Sequence, residues 1–158
     1  MTALVETDNA ADREIVIARK FDAPRELVFK MFTEPQHVAH WWGPNGFTNT
    51  ISEMDVTPGG VWRFTMHSPD GVDYPNKIVY IDVVRPSKLV YAHGADIEND
   101  PSQFYVTITF DEQDGKTLVT MRSMFDSVEE CDRVKAFGAV ELGKQTLNRL
   151  AEYLAASK

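Results

Sequence analysis

The chain has 158 residues, of which 43% are hydrophobic, 25% charged and 11% aromatic, the composition of one folded domain with a substantial core. Its 24 acidic against 16 basic residues give a net charge of −8, which excludes the basic footprint that nucleic acid or an anionic membrane surface demands. A single cysteine, Cys131, excludes an intrachain disulfide and a cysteine-based zinc site.

In chain order, residues 1–12 read as a loose polar tail, and 13–158 as a single domain. The start has neither a basic segment nor an apolar one of signal-peptide type, and no apolar run approaches the ~18 residues of a membrane span. The expected location is cytoplasmic. Residues 14–21, EIVIARKF, form the first strand. Asp22-Ala23-Pro24 opens a helix in which Leu27, Val28, Met31 and Phe32 share a face. A second short helix follows Thr33-Glu34-Pro35 and stops at Gly43-Pro44.

From Gly46 to Phe125 the hydrophobic period becomes two, cut by turn clusters such as Pro58-Gly59-Gly60 and Asp114-Gly115. Six strands are predicted, over about 46–56, 61–67, 76–85, 88–94, 103–111 and 116–125, joined as an antiparallel meander. The inward candidates are Trp62, Phe64, Met66, Val79, Ile81, Val83, Leu89, Tyr91, Val106, Ile108, Phe110, Val119 and Met121. Ser127 to Glu130 is a capping box, and Glu129, Glu130 and Asp132 form a solvated helix start. One apolar stripe runs from there through Cys131, Val134, Phe137, Val140, Leu147, Leu150 and Leu154, interrupted by Gly138 and Gly143. The order β-αα-ββββββ-α needs a cover for the sheet's apolar face, and the long C-terminal helix supplies it.

That order, with "FDAPRELVFKMFTEP", the pair Trp41-Trp42 before Gly43-Pro44, "EMDVTPGG", "SPDG" and "AVELGKQTLNRLAEYL", resembles the homologues of the activator of heat-shock-protein-90 ATPase, within the START-like (SRPBCC) superfamily. The likeness covers roughly residues 13–156. It implies an α+β helix-grip fold, with a bent antiparallel sheet wrapped around the C-terminal helix and two short helices after the first strand. It also implies a cavity between sheet and helix for a small apolar or amphipathic molecule. The superfamily holds ligand carriers, cyclases, self-sacrificing resistance proteins and co-chaperone domains. In the full co-chaperone a separate domain that grips the chaperone comes first; about a dozen polar residues stand there in this sequence, so a chaperone partner is not expected.

Under this resemblance the candidate ligand-binding residues are Trp41, Trp42, Met54, Trp62, Phe64, Met66, Tyr91, His93, Phe110, Met121, Val140, Gly143 and Leu147. Each has a plainer reading. On helical spacing Val38, Trp41 and Trp42 form one patch, so the two indoles either cap the core or wall a pocket. Met54, Met66 and Met121 are adaptable walls or ordinary packing. Gly143 leaves space on the covering helix, or lets helix and sheet approach closely. Tyr91 and His93, on the face of Leu89, are placed polar groups of a pocket, or a rim tyrosine and an exposed strand-end histidine.

Catalytic templates are absent: no G-x-S-x-G elbow, P-loop or G-x-G-x-x-G occurs. His37 and His40 lack a third ligand at metal-binding spacing and read as solvated, and Cys131 reads as core. No cofactor or metal is expected. The leading expectation is a binding protein for a small, largely apolar molecule. The competing ones are a cyclase or dehydratase acting on a polyketide-like compound, with His93 as acid/base and Tyr91 as helper, and a protein-interaction module of co-chaperone type. A homodimer through an exposed sheet face is compatible with the pattern.

Overall fold

A computed structural model describes residues 13–97, 100 and 103–156; the proposed tail at 1–12 lies outside the described residues. Strand β1 (Glu14–Phe21) is followed by helices α1 (Arg25–Thr33) and α2 (Pro35–Trp41). Strands β2 (Thr48–Met54), β3 (Val61–His67), β4 (Asp73–Val84), β5 (Lys88–Ala95), β6 (Phe104–Gln113) and β7 (Lys116–Met124) come next. Helices α3 (Val128–Phe137) and α4 (Ala139–Ala156) close the chain. The seven strands make one antiparallel sheet in the order β1-β7-β6-β5-β4-β3-β2, so the first strand pairs with the last. This is the α+β helix-grip arrangement, with helices on one face of the sheet.

Local chemistry explains the helices between β1 and β2. Pro24 is extended (φ −69°, ψ 155°), and its carbonyl accepts from the Leu27 and Val28 amides at 3.1 Å, which starts α1. The face Val28, Phe29, Met31 and Phe32 is buried, and Phe29 and Phe32 meet Phe110 of the sheet edge-on at 5.1 and 5.2 Å. Pro35 occupies the first turn of α2, where no intrahelical donor is required. Trp41 ends that helix fully buried, its indole N–H donating to the Met31 carbonyl at 3.1 Å.

Three expectations are corrected. On β4 the inward residues are Ile78 and Tyr80, whereas Val79 is only partly buried and Ile81 is 49% exposed. A β-bulge between Tyr80 and Asp82 inserts Ile81 as an extra residue and reverses the alternation, so that Val83 packs against the core after it. In the run KIVYIDVV both faces carry apolar residues, so the pattern alone does not fix the register.

The single C-terminal helix is two helices. Gly138 takes φ +102°, caps α3 through its amide, and offers its carbonyl to the Leu142 amide to begin α4. Trp42, finally, is not on a helix. It is extended (φ −66°, ψ 134°), so its ring leaves the direction that helical spacing assigns to it.

The core is continuous between sheet and helices, with Trp62, Phe64, Ile78, Tyr80, Leu89, Val106, Ile108, Phe110 and Val119 facing Leu147, Leu150 and Leu154 of α4. A smaller cluster of Ile15, Phe125 and Cys131 sits under α3, where Val134 and Val140 pack against it. No helix among the described residues is long and apolar enough to cross a membrane.

Candidate functional site

Beside this core the sheet and the two C-terminal helices stand apart around a cavity of about 390 Å³. That is roughly a dozen times the volume one water occupies in the liquid, and it lies within the usual range for small-molecule sites. Strand register builds the floor. Tyr91 faces Val106, Val106 faces Ser123, and Ser123 faces Ile15, one row across four strands. A neighbouring row pairs Ile17 with Met121. On the other side His93 pairs with Phe104, whose ring stacks on Phe125 at 5.0 Å.

Leu142, Gly143 and Thr146 of α4 roof the cavity, Val134 and Phe137 of α3 flank it, and Trp42-Gly43-Pro44 with Met66 close one end. Phe137 lines the cavity yet is 82% exposed, which puts the mouth at the junction of α3 and α4. The break at Gly138 therefore shapes the entrance.

Two polar side chains stand together in this apolar setting. The Tyr91 and His93 rings are 6.3 Å apart on one face of β5. The Tyr91 hydroxyl has no hydrogen-bond partner among the described residues, and burial, reinforced by Tyr80, pushes its ionisation well above the ordinary tyrosine range. His93 Nε2 lies 3.0 Å from Asn76 Oδ1. With the amide oxygen as acceptor, Nε2 carries the hydrogen and Nδ1 remains an acceptor. Burial pulls the His93 pKa down to about 4, against the opposing pull of the Asp100 carboxylate. Both groups are thus neutral near pH 7. Ser123 and Thr146 add two hydroxyls, of which Thr146 already donates to the Leu142 carbonyl at 3.0 Å.

Of the thirteen candidates, Trp42, Met66, Tyr91, His93, Met121 and Gly143 line this cavity. Trp41, Phe110 and Leu147 are buried in the core instead, while Met54 packs partly against it and Val140 against the cluster under α3. Trp62 and Phe64 are core residues that support the wall: Trp62 meets Trp42 edge-on at 5.1 Å, and Trp62 and Phe64 stack at 4.3 Å. The indole pair thus divides its work, Trp41 filling the core and Trp42 facing the cavity. Gly143 serves both of its readings, since an added Cβ would overlap Ile17 Cδ1 while the position itself borders the cavity.

Ile15, Ile17, Phe104, Ser123, Phe125, Leu142 and Thr146 also line the cavity and are not among the thirteen candidates. Period-two alternation in β1 and β6 carried a signal for Ile15, Ile17 and Phe104; Ser123 carried none, being small and polar.

A second feature fixes the end wall. Arg149 of α4 donates through Nη1 to the carbonyls of Trp42, Gly43 and Pro44 at 3.2, 2.9 and 2.9 Å. Its Nη2 reaches the carbonyls of His40 and Phe47 at 3.2 and 2.9 Å. A cation at the C-terminus of α2 meets the unpaired carbonyls and the negative end of the helix dipole. Partial burial lowers the Arg149 pKa without a change of charge state near neutrality.

Of the two histidines of α2, His37 departs from the expectation of solvated rings, whereas His40 is exposed as expected. His37 is partly buried with Nδ1 2.8 Å from the Tyr153 hydroxyl, and His40 stacks on Tyr153 at 5.6 Å. Among the described residues no group of three or more His, Cys, Asp or Glu side chains is placed to hold a metal ion.

Similarity agrees with this architecture. Protein Ms6760 from Mycobacterium smegmatis is 25% identical with a TM-score of 0.85, over 95% of this chain and 96% of that one. A protein from Arthrobacter aurescens is 21% identical, TM-score 0.85, over 92% and 88% of the two chains. The AHSA1 protein from Silicibacter pomeroyi is 21% identical, TM-score 0.75, over 92% and 99%. Among curated proteins none matches significantly. The family model described as activator of Hsp90 ATPase homolog 1-like protein matches residues 22–155, nearly the whole domain, and the chain belongs to that family.

Proposed function

We propose that this protein binds one small, largely apolar molecule in the cavity beneath α4, with Tyr91 and His93 orienting its polar end. The observation that carries this reading is a 390 Å³ apolar cavity with two neutral polar side chains grouped on one wall. Each 100 Å² of apolar ligand surface removed from water contributes about 2.5 kcal/mol, from which the cost of association is subtracted. Binding is favoured over acid/base turnover because neither group titrates near neutral pH, where a general acid or base works best.

The test is a titration with N-phenyl-1-naphthylamine, a neutral dye that brightens in apolar surroundings, while tryptophan emission is followed. Saturable one-to-one binding with quenching that largely disappears in Trp42→Phe supports a ligand beside that indole. Absence of saturable binding by the folded protein, or quenching unchanged in the variant, refutes the reading.

A further inference from the structure

We infer that the molecule this cavity takes is an uncharged amphiphile whose polar end is a hydroxyl, seated against Tyr91 and His93, and is not a carboxylate, sulfate, phosphate or ammonium compound. The inference rests on the ligand-binding reading above and narrows its ligand class.

The first ground is what the cavity lacks. None of the described residues that line it is Lys, Arg, Asp or Glu. An ionised ligand head would lose its hydration without gaining a counter-charge, the costliest way to bury a polar group. The nearest cation in the architecture is not available to offset that cost. Arg149 is behind the end wall, does not line the cavity, and directs its donors at five backbone carbonyls of residues 40–47. The net charge of −8 adds a general penalty for anions.

The second ground is what the polar wall offers. The Tyr91 hydroxyl has no protein partner among the described residues and both donates and accepts. Next to it His93, committed through Nε2 to Asn76, keeps Nδ1 as an acceptor. A ligand hydroxyl donates one hydrogen bond and accepts another, and so complements this pair. An ether or ketone can only accept, which leaves the Nδ1 acceptor unmatched, and an unmatched buried polar atom is costly.

The third ground is polarity along the cavity. Tyr91 and His93 share β5, whereas the β1 side and the helices present Ile15, Ile17, Leu142 and Phe137, with only the Ser123 hydroxyl and a Thr146 hydroxyl already donated to the Leu142 carbonyl among them. The strands carrying these two ends are three apart in the sheet, on the order of 14 Å. That span suits a molecule with one polar end and a ring-sized apolar body.

Matched naphthalenes test this by displacement of the dye near pH 7: 2-naphthol, neutral with a hydroxyl; 2-methoxynaphthalene, neutral without a donor; and 2-naphthoate, charged. The expected order is 2-naphthol tightest, the methyl ether several-fold weaker, and naphthoate weaker than naphthol by at least about tenfold. Tyr91→Phe keeps the ring and should weaken naphthol about three- to tenfold while dye binding persists. If that variant does not fold, His93→Gln supplies the same comparison. Naphthoate binding as tightly as naphthol, or displacement by none of the three from a protein that binds the dye, overturns the ligand class and leaves the cavity reading standing. Failure of the dye itself overturns both.

Discussion

Replacing Arg149 with methionine removes the side chain that ties α4 to the loop after α2. Its two terminal nitrogens carry four hydrogens for five carbonyls at 2.9–3.2 Å, so some of these contacts share a hydrogen. Hydrogen bonds to a charged group contribute about 1.5–3 kcal/mol each when no water replaces them, and about 1 kcal/mol or less where it does. The guanidinium is half-buried, and Asn45 and Gly46 beside it are exposed, so water recovers part of the loss. Counting two to three bonds at about 1 kcal/mol, plus about 0.3–1 kcal/mol for the helix C-terminus, gives a cost of roughly 2–4 kcal/mol. For a chain of this size that lowers Tm by about 5–15 °C.

Arg149→Lys should recover less than half, because one ammonium with three donors does not span carbonyls from His40 to Phe47. Thermal unfolding and urea titration at fixed pH measure both variants. An Arg149→Met protein within 0.5 kcal/mol of the parent would refute the view that these bonds hold the end wall in place.

Two further outcomes follow from the same structure. Between the ordinary histidine pKa of about 6.5 and the folded value of about 4, the unfolded chain binds a proton at His93 that the folded chain does not. Stability therefore falls as pH drops through that window, by up to about 3 kcal/mol, and urea titrations across it should show a shallower loss for His93→Gln; equal slopes would refute the assignment. At Gly138, with φ +102° and no atom within 4 Å of an added Cβ, Gly138→Ala should cost about 1–2 kcal/mol through backbone strain alone, whereas a continuous helix would predict a gain. Calorimetry decides the sign.

How much of this was legible beforehand differs by element. β1 is observed at Glu14–Phe21, where its pattern placed it, and the strand series, the two short helices and the α4 cover follow from alternation, proline and turn residues. These are local signals, set within a few residues by pleat geometry and backbone chemistry. The pattern of strand β4 misleads because it is apolar on both faces, and only its pairing with β5, with the bulge at Ile81, decides which face is inside. The helix break at Gly138 reads in the sequence as a tolerated interruption because a glycine in a helical stripe and a glycine at a cap have the same sequence signature.

The cavity was less legible still. Trp42, Tyr91, His93 and Gly143 were visible as candidates, yet Leu147 and Phe110 carry the same inward signature and are simply packed. Local pattern determines which residues point toward the interior of this protein. Whether an inward side chain meets another or borders open space depends on the separation of α4 and α3 from the sheet, which is set by Gly143 against Ile17 and by Arg149 on the loop at 42–47. Those contacts join residues more than a hundred positions apart, and only the tertiary structure brings them together.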